Sequence, residues 1–127
     1  MPTIAIVNNE THITQVLSDD LRAAGYDVRV YTRSDEAFEA LAAQPANLAL
    51  IDKTNPPLGG IELLRRLRQH TTMPVVFLTP WAEELQDELA GSGLEADDYI
   101  DVPFSRTHVR SRVKAILARP PEIATRH

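Results

Sequence analysis

Five short apolar runs, each followed by an amphipathic stretch, restrict this chain to very few architectures. The runs are Thr3–Val7, Val28–Tyr31, Leu48–Ile51, Val75–Leu78 and Tyr99–Val102. Runs of four or five residues are too short for buried helices, and continuous apolarity marks parallel strands covered on both faces. Val28-Arg29-Val30-Tyr31 alternates instead, as an edge strand does. Between the runs, apolar residues recur at three- and four-residue spacing. Ile13, Val16, Leu17 and Leu21 form the first such stripe, and Gly25 suits the residue just past a helix end. Ser34 is the expected N-cap of a helix over 35–43, with Pro45 beyond its end. Ile61, Leu64 and Leu67 form a third stripe, with Arg65, Arg66 and Arg68 expected on its solvated side. Val109, Val113, Ile116 and Leu117 form the last, started by Ser105. The order βαβαβαβαβα predicts an α/β fold: a single (βα)5 unit with a doubly wound, five-stranded parallel sheet.

Side chains that do chemistry in such sheets gather beyond the carboxyl ends of the strands. Asn8, Asn9, Asp52, Thr79 and Val102 all fall there, so they are expected around one crevice. Asp52 is the only acid among the five. Lys53 follows it directly, and the alternation of a strand would send that side chain to the opposite face.

Composition removes several functions. With 127 residues the chain forms one domain, expected over 1–118. Cysteine is absent, which excludes disulfides, thiolate metal sites and a cysteine nucleophile, and fits a cytoplasmic location. A net charge of −5 argues against nucleic-acid binding by this segment itself. No apolar stretch is long enough for a membrane span, and no signal-peptide pattern opens the chain. The four histidines, at 12, 70, 108 and 127, have no ligand spacing. No nucleophile elbow, glycine phosphate loop or acid–base carboxylate pair is present, so no enzymatic activity is expected. After Ala118 periodicity stops, and Pro120-Pro121 cannot continue a helix, so 119–127 reads as a linker or tail.

Three segments carry a resemblance: Asp52 with Pro56 and Gly60 downstream, Val75-Val76-Phe77-Leu78-Thr79, and Ala96-Asp97-Asp98-Tyr99-Ile100 before Pro103-Phe104. In this order and spacing they resemble a response-regulator receiver domain with its flavodoxin/CheY-like fold. Glu62-Leu63-Leu64-Arg65-Arg66-Leu67-Arg68-Gln69 and the stretch from Met73 to Thr79 are similar to the OmpR/PhoB subfamily, ChvI-type regulators in particular. The resemblance implies that Asp52 is the phosphoacceptor position, served by a histidine kinase as partner, and that Thr79 and Tyr99 are the switch positions. It further implies an acidic, Mg²⁺-binding pair at Asn8 and Asn9 and a phosphate-pairing lysine at Val102.

Those last three positions break the pattern. Asparagine offers amide oxygens without formal charge, and valine offers no cation. The expectation is an atypical, pseudo-receiver with Mg²⁺ binding weak or lost, no required cofactor, and a transcriptional output independent of phosphorylation. Asn8-Asn9 is then expected to serve as an Asx turn capping the first helix. Thr79 is expected to bond locally, and Tyr99 to pack. Trp81, following Pro80, either folds over the crevice or packs on the surface. Asp97, Asp98, Arg112 and Arg119 match the subfamily's dimer face on the fourth helix, fifth strand and fifth helix, with Gly93 where a base would complete it. A homodimer is expected there, no membrane contact, and DNA contact only through a domain outside this sequence. Two alternatives stay open: an Asp52 still phosphorylated with weakened Mg²⁺ dependence, and a small-ligand-binding flavodoxin-like domain.

Overall fold

The computed structural model describes residues 1–119. The linker or tail expected over 119–127 therefore lies, from residue 120 on, outside the described residues. Along the chain come β1 (Thr3–Val7), α1 (Thr11–Ala23), β2 (Asp27–Tyr31), α2 (Ser34–Ala43) and β3 (Leu48–Asp52). They are followed by α3 (Gly60–Leu67), β4 (Val75–Leu78), α4 (Ala82–Gly91), β5 (Asp98–Ile100) and α5 (Arg106–Leu117). All strand pairs are parallel, in the order β2-β1-β3-β4-β5. This is the doubly wound CheY-like fold, with the alternating β2 on an edge. No helix among the described residues is long and apolar enough to cross a membrane.

The period of two along each strand divides the core into two layers. Ala5, Val7, Ala49, Ile51, Val75 and Phe77 face one side, where Leu41, Leu63, Leu64, Leu67, Leu85 and Leu89 of α2, α3 and α4 cover them. Ile4, Ile6, Leu48, Leu50, Val76 and Leu78 face the other, under Leu17, Leu21, Val109, Val113 and Ile116 of α1 and α5. Each such side chain contributes about 1.5–3 kcal/mol on burial. The packing is uneven: α4 buries only two leucines, Leu85 and Leu89.

Gly25 takes φ +100° directly after the C-cap of α1, a conformation that suits glycine there. Ser105 caps α5, its hydroxyl accepting from the His108 N–H at 3.3 Å. Three local expectations need correction. Ser34 is the first residue of α2 rather than its cap, and is fully buried. Its hydroxyl accepts from the Leu58 N–H at 2.7 Å, joining α2 to the β3–α3 loop. Arg68 does not lie on a solvated face. Its guanidinium turns inward to donate to the Met73 carbonyl at 2.7 Å and meets Asp97 at 3.4 Å. The fifth strand, Asp98–Ile100, stops short of Val102, whose N–H still donates to the Thr79 carbonyl at 3.3 Å.

Candidate functional site

The register places the strand ends side by side: Val7 pairs with Ile51, Asp52 with Leu78, and Leu78 with Ile100. Beyond β3, β4 and β5 opens a cleft of about 340 Å³ lined by Asp52, Thr79 and Val102. These three expected residues do come together. Asn8 and Asn9, at the end of the neighbouring β1, are not among the cleft's lining residues.

Asn8 is 4% exposed, and its backbone N–H donates to the Tyr31 carbonyl at 3.0 Å. Its side-chain oxygen accepts from the Glu10 N–H at 2.7 Å, an Asx turn that leads into α1. Glu10 is the N-cap itself, accepting from the His12 N–H at 3.1 Å. Asn9 is exposed. Among the described residues, no group of three or more His, Cys, Asp or Glu is placed to hold a metal ion.

Asp52 accepts from Thr54, from both its backbone N–H and its hydroxyl, each at 3.3 Å. Lys53 overturns the alternation argument. The strand ends at Asp52, so the pleat no longer dictates direction, and Lys53 lies in the turn that follows. Its side chain lies on the cleft side, with Nζ 3.8 Å from a carboxylate oxygen of Glu88 on α4. Among the described residues this is the one ion pair joining α4 to the rest of the fold. Glu84 and Glu88 also line the cleft, which therefore presents three carboxylates and one ammonium. The turn residues Thr54-Asn55-Pro56 are the signal that could have located Lys53, since they end the strand.

Thr79 is 2% exposed, and its hydroxyl accepts from the Trp81 N–H at 3.1 Å. Trp81 lines the cleft mouth and remains 63% exposed, so it does not close over the crevice. Tyr99 lies outside the cleft, half-buried, its ring stacked on Phe77 with centroids 6.3 Å apart. Burial pushes its phenol above the ordinary 10.0, and the Glu95 and Asp98 carboxylates add to the rise. The folded chain thus keeps this proton to higher pH than the unfolded chain. That stabilising difference is fully present below pH 10.0 and is lost as pH rises through the folded value. Tyr99→Phe is accordingly expected to be less sensitive to alkali than the native chain. Circular dichroism followed from neutral pH upward would check this, and parallel alkaline unfolding of both proteins would refute it.

The four residues expected on a dimer face lie together and pair within the chain. Asp97 accepts from the Val75 N–H at 2.8 Å and from Arg119 at 2.7 Å, besides its contact with Arg68. Asp98 accepts from the Tyr99 N–H at 2.8 Å and forms an ion pair with Arg112. Burial pulls the Arg68 guanidinium below its usual range, and Asp97 opposes that shift.

The doubly wound parallel sheet, with an aspartate at the end of its central strand, has the CheY-like architecture. Family comparison agrees: the response regulator receiver domain matches residues 4–114, and this chain belongs to that family. The phosphate regulon transcriptional regulatory protein PhoB of Rhizobium meliloti is 38% identical over 127 residues, covering 97% of this chain and 56% of that protein. The alkaline phosphatase synthesis transcriptional regulatory protein PhoP of Bacillus subtilis is 39% identical over 117 residues, covering 91% and 48%. Both support the OmpR/PhoB resemblance. The chain spans about half the length of the curated relatives it matches. Among solved structures, the Francisella response regulator 1452 receiver domain superposes with a TM-score of 0.83 at 28% identity, covering 92% of this chain and 97% of that one.

Proposed function

We propose that this chain is the receiver of a cytoplasmic transcriptional response regulator whose output does not depend on phosphorylation of Asp52. The observation that carries this reading is the state of the residues around Asp52. Where the family pattern has an acidic pair, the Asn8 amide oxygen is engaged in the turn that leads into α1, and Asn9 is exposed. Where it has a lysine, Val102 forms an apolar wall. A hard divalent ion such as Mg²⁺ takes charged oxygen donors in near-octahedral geometry, and this donor set does not suit it. Thr79, with its hydroxyl already holding the Trp81 N–H, fits a fixed rather than a switching conformation.

The output surface is α4, β5 and α5. There Asp97, Asp98, Arg112 and Arg119 exchange their intrachain partners for those of a second copy across a two-fold axis. The arginines are the exposed partners and the ones that swing, while Asp97 and Asp98 stay held by the Val75 and Tyr99 N–H groups. The names of the relatives, transcriptional regulatory proteins, support a transcriptional output, with DNA contact left to a domain outside this sequence. A second reading has one specific observation behind it: Lys53 places an ammonium in the same cleft as Asp52 and Thr79. It is a receiver still phosphorylated by a histidine kinase with weakened Mg²⁺ dependence.

Sedimentation velocity separates the two. The expected result is one oligomeric state, unchanged by Mg²⁺ with beryllofluoride and shifted toward monomer by Asp98→Lys. A saturable response to beryllofluoride that Asp52→Ala abolishes would overturn the proposal in favour of the second reading.

A further inference from the structure

A second concavity, on the other side of Val102, has the opposite electrostatic character. It lies between the first turns of α1 and the loop that leads from β5 into α5, and its volume is about 360 Å³, within the range of small-molecule sites. Ile13 and Val16 of α1 form one wall, and Val102, Pro103 and Phe104 form the other. The remaining lining side chains are His12 and Arg106, and no carboxylate lines the groove. Below it the seam is closed by an Arg110–Asp20 ion pair at 3.1 Å.

We infer that this groove binds an amphipathic organic anion, a medium-length alkyl or aryl carboxylate, with its body on Ile13, Val16 and Phe104 and its carboxylate on Arg106. Charge complementarity selects that occupant. Neither α1 nor α5 carries an acid in its first turn, and each carries a base there, His12 and Arg106. A base at a helix N-terminus opposes the macrodipole; the Glu10 cap offsets this at α1, whereas α5, capped by the neutral Ser105, keeps a local cost that an anion relieves. Among the described residues Arg106 and His12 form no ion pair. The nearby Glu10 carboxylate is engaged in capping α1. The apolar walls exclude a small hydrated anion as the best fit, because phosphate or sulfate would leave Val16 and Phe104 uncovered while losing its own hydration. Val102 belongs to both concavities, so an occupant here touches the wall of the Asp52 cleft directly. This goes beyond the proposed receiver role and holds whether or not Asp52 is phosphorylated.

Octanoate is the probe, and neutral octanamide, with the same alkyl body, is its control. Octanoate is expected to raise the melting temperature in a concentration-dependent way. In ¹H–¹⁵N spectra it should shift the amides of Ile13, Val16, Val102 and Phe104. Octanamide and the Arg106→Gln variant should each show affinity weaker by about tenfold, the loss of one charge-assisted hydrogen bond. Val16→Asp should abolish binding by repulsion while leaving the circular dichroism of the fold intact. Equal binding of octanoate and octanamide, shifts located elsewhere, or no effect of Arg106→Gln would overturn the inference. So would a groove that ignores octanoate yet takes an acidic helical peptide.

Discussion

Asn8→Asp, Asn9→Asp and Val102→Lys, combined in one chain, are expected to give the Asp52 cleft a saturable response to Mg²⁺ and beryllofluoride that the native chain lacks. The argument is electrostatic. A carboxylate about 4 Å from a divalent ion contributes roughly 8 kcal/mol gross at an effective dielectric of 20, most of it offset by desolvation. A net remainder of only about 1.4 kcal/mol per group is tenfold in affinity, so two aspartates should strengthen Mg²⁺ binding about a hundredfold. The fold should tolerate the change at position 8. An aspartate oxygen can accept from the Glu10 N–H as the asparagine oxygen does, preserving the turn into α1. At 102 the residue is half-buried between two concavities, which leaves a longer side chain room to reach the cleft. Trp81 at the cleft mouth supplies the fluorescence signal. If the triple variant binds Mg²⁺ yet shows no change in sedimentation, the lost charges are not the whole defect. The block would then lie in the Thr79–Trp81 turn and α4.

That cleft was legible from the chain only as far as backbone periodicity reaches. Asp52, Thr79 and Val102 follow strands whose apolar runs are unmistakable, so counting along the runs brings them to one edge of the sheet. The division of β1, β3 and β4 into two buried faces follows from the same period of two. Where regular structure stops, so does the inference. Alternation carried one residue past the end of β3 sends Lys53 to the wrong side. The sequence neighbours of Ser34 look like a helix start and suggest a cap, whereas its hydroxyl partner, Leu58, is distant in sequence. Arg68 shares a helical run with two solvated arginines, and the Met73 carbonyl together with the tertiary position of Asp97 turns it inward. The second groove needs α1 and the β5–α5 loop together, and local pattern does not report that pairing. Each of these depends on a contact that the chain makes only after folding, which is why charge pairs and concavities lag behind strands and stripes.

Gly60→Ala is expected to cost more stability than any surface change considered above, about 2 kcal/mol, and to disturb the Asp52 cleft as it does so. Gly60 opens α3, and its N–H donates to the Lys53 carbonyl at 2.7 Å. A Cβ there would stand 2.7 Å from a ring carbon of Phe77, 2.9 Å from the Lys53 Cα and 3.1 Å from its carbonyl oxygen. The ring cannot easily withdraw, because Phe77 is fully buried and stacked on Tyr99. The Lys53 backbone is no freer, since its N–H is bonded to the Leu78 carbonyl at 3.4 Å. Alanine's better helix propensity offsets at most about 1 kcal/mol of the clash. The melting temperature should therefore fall by roughly 6–10 °C for a domain of this size. Gly91→Ala is the control, because nothing stands within 4 Å of the added carbon at the end of α4. It should melt at or slightly above the native temperature. The strain at Gly60 falls on Lys53, the residue that reaches across to Glu88, so relaxation of the clash must move the loop that directly follows Asp52. If Gly60→Ala melts like the native chain, the β3–α3 loop yields at little cost. The position of Lys53 over the cleft would then be a soft feature rather than one set by close packing.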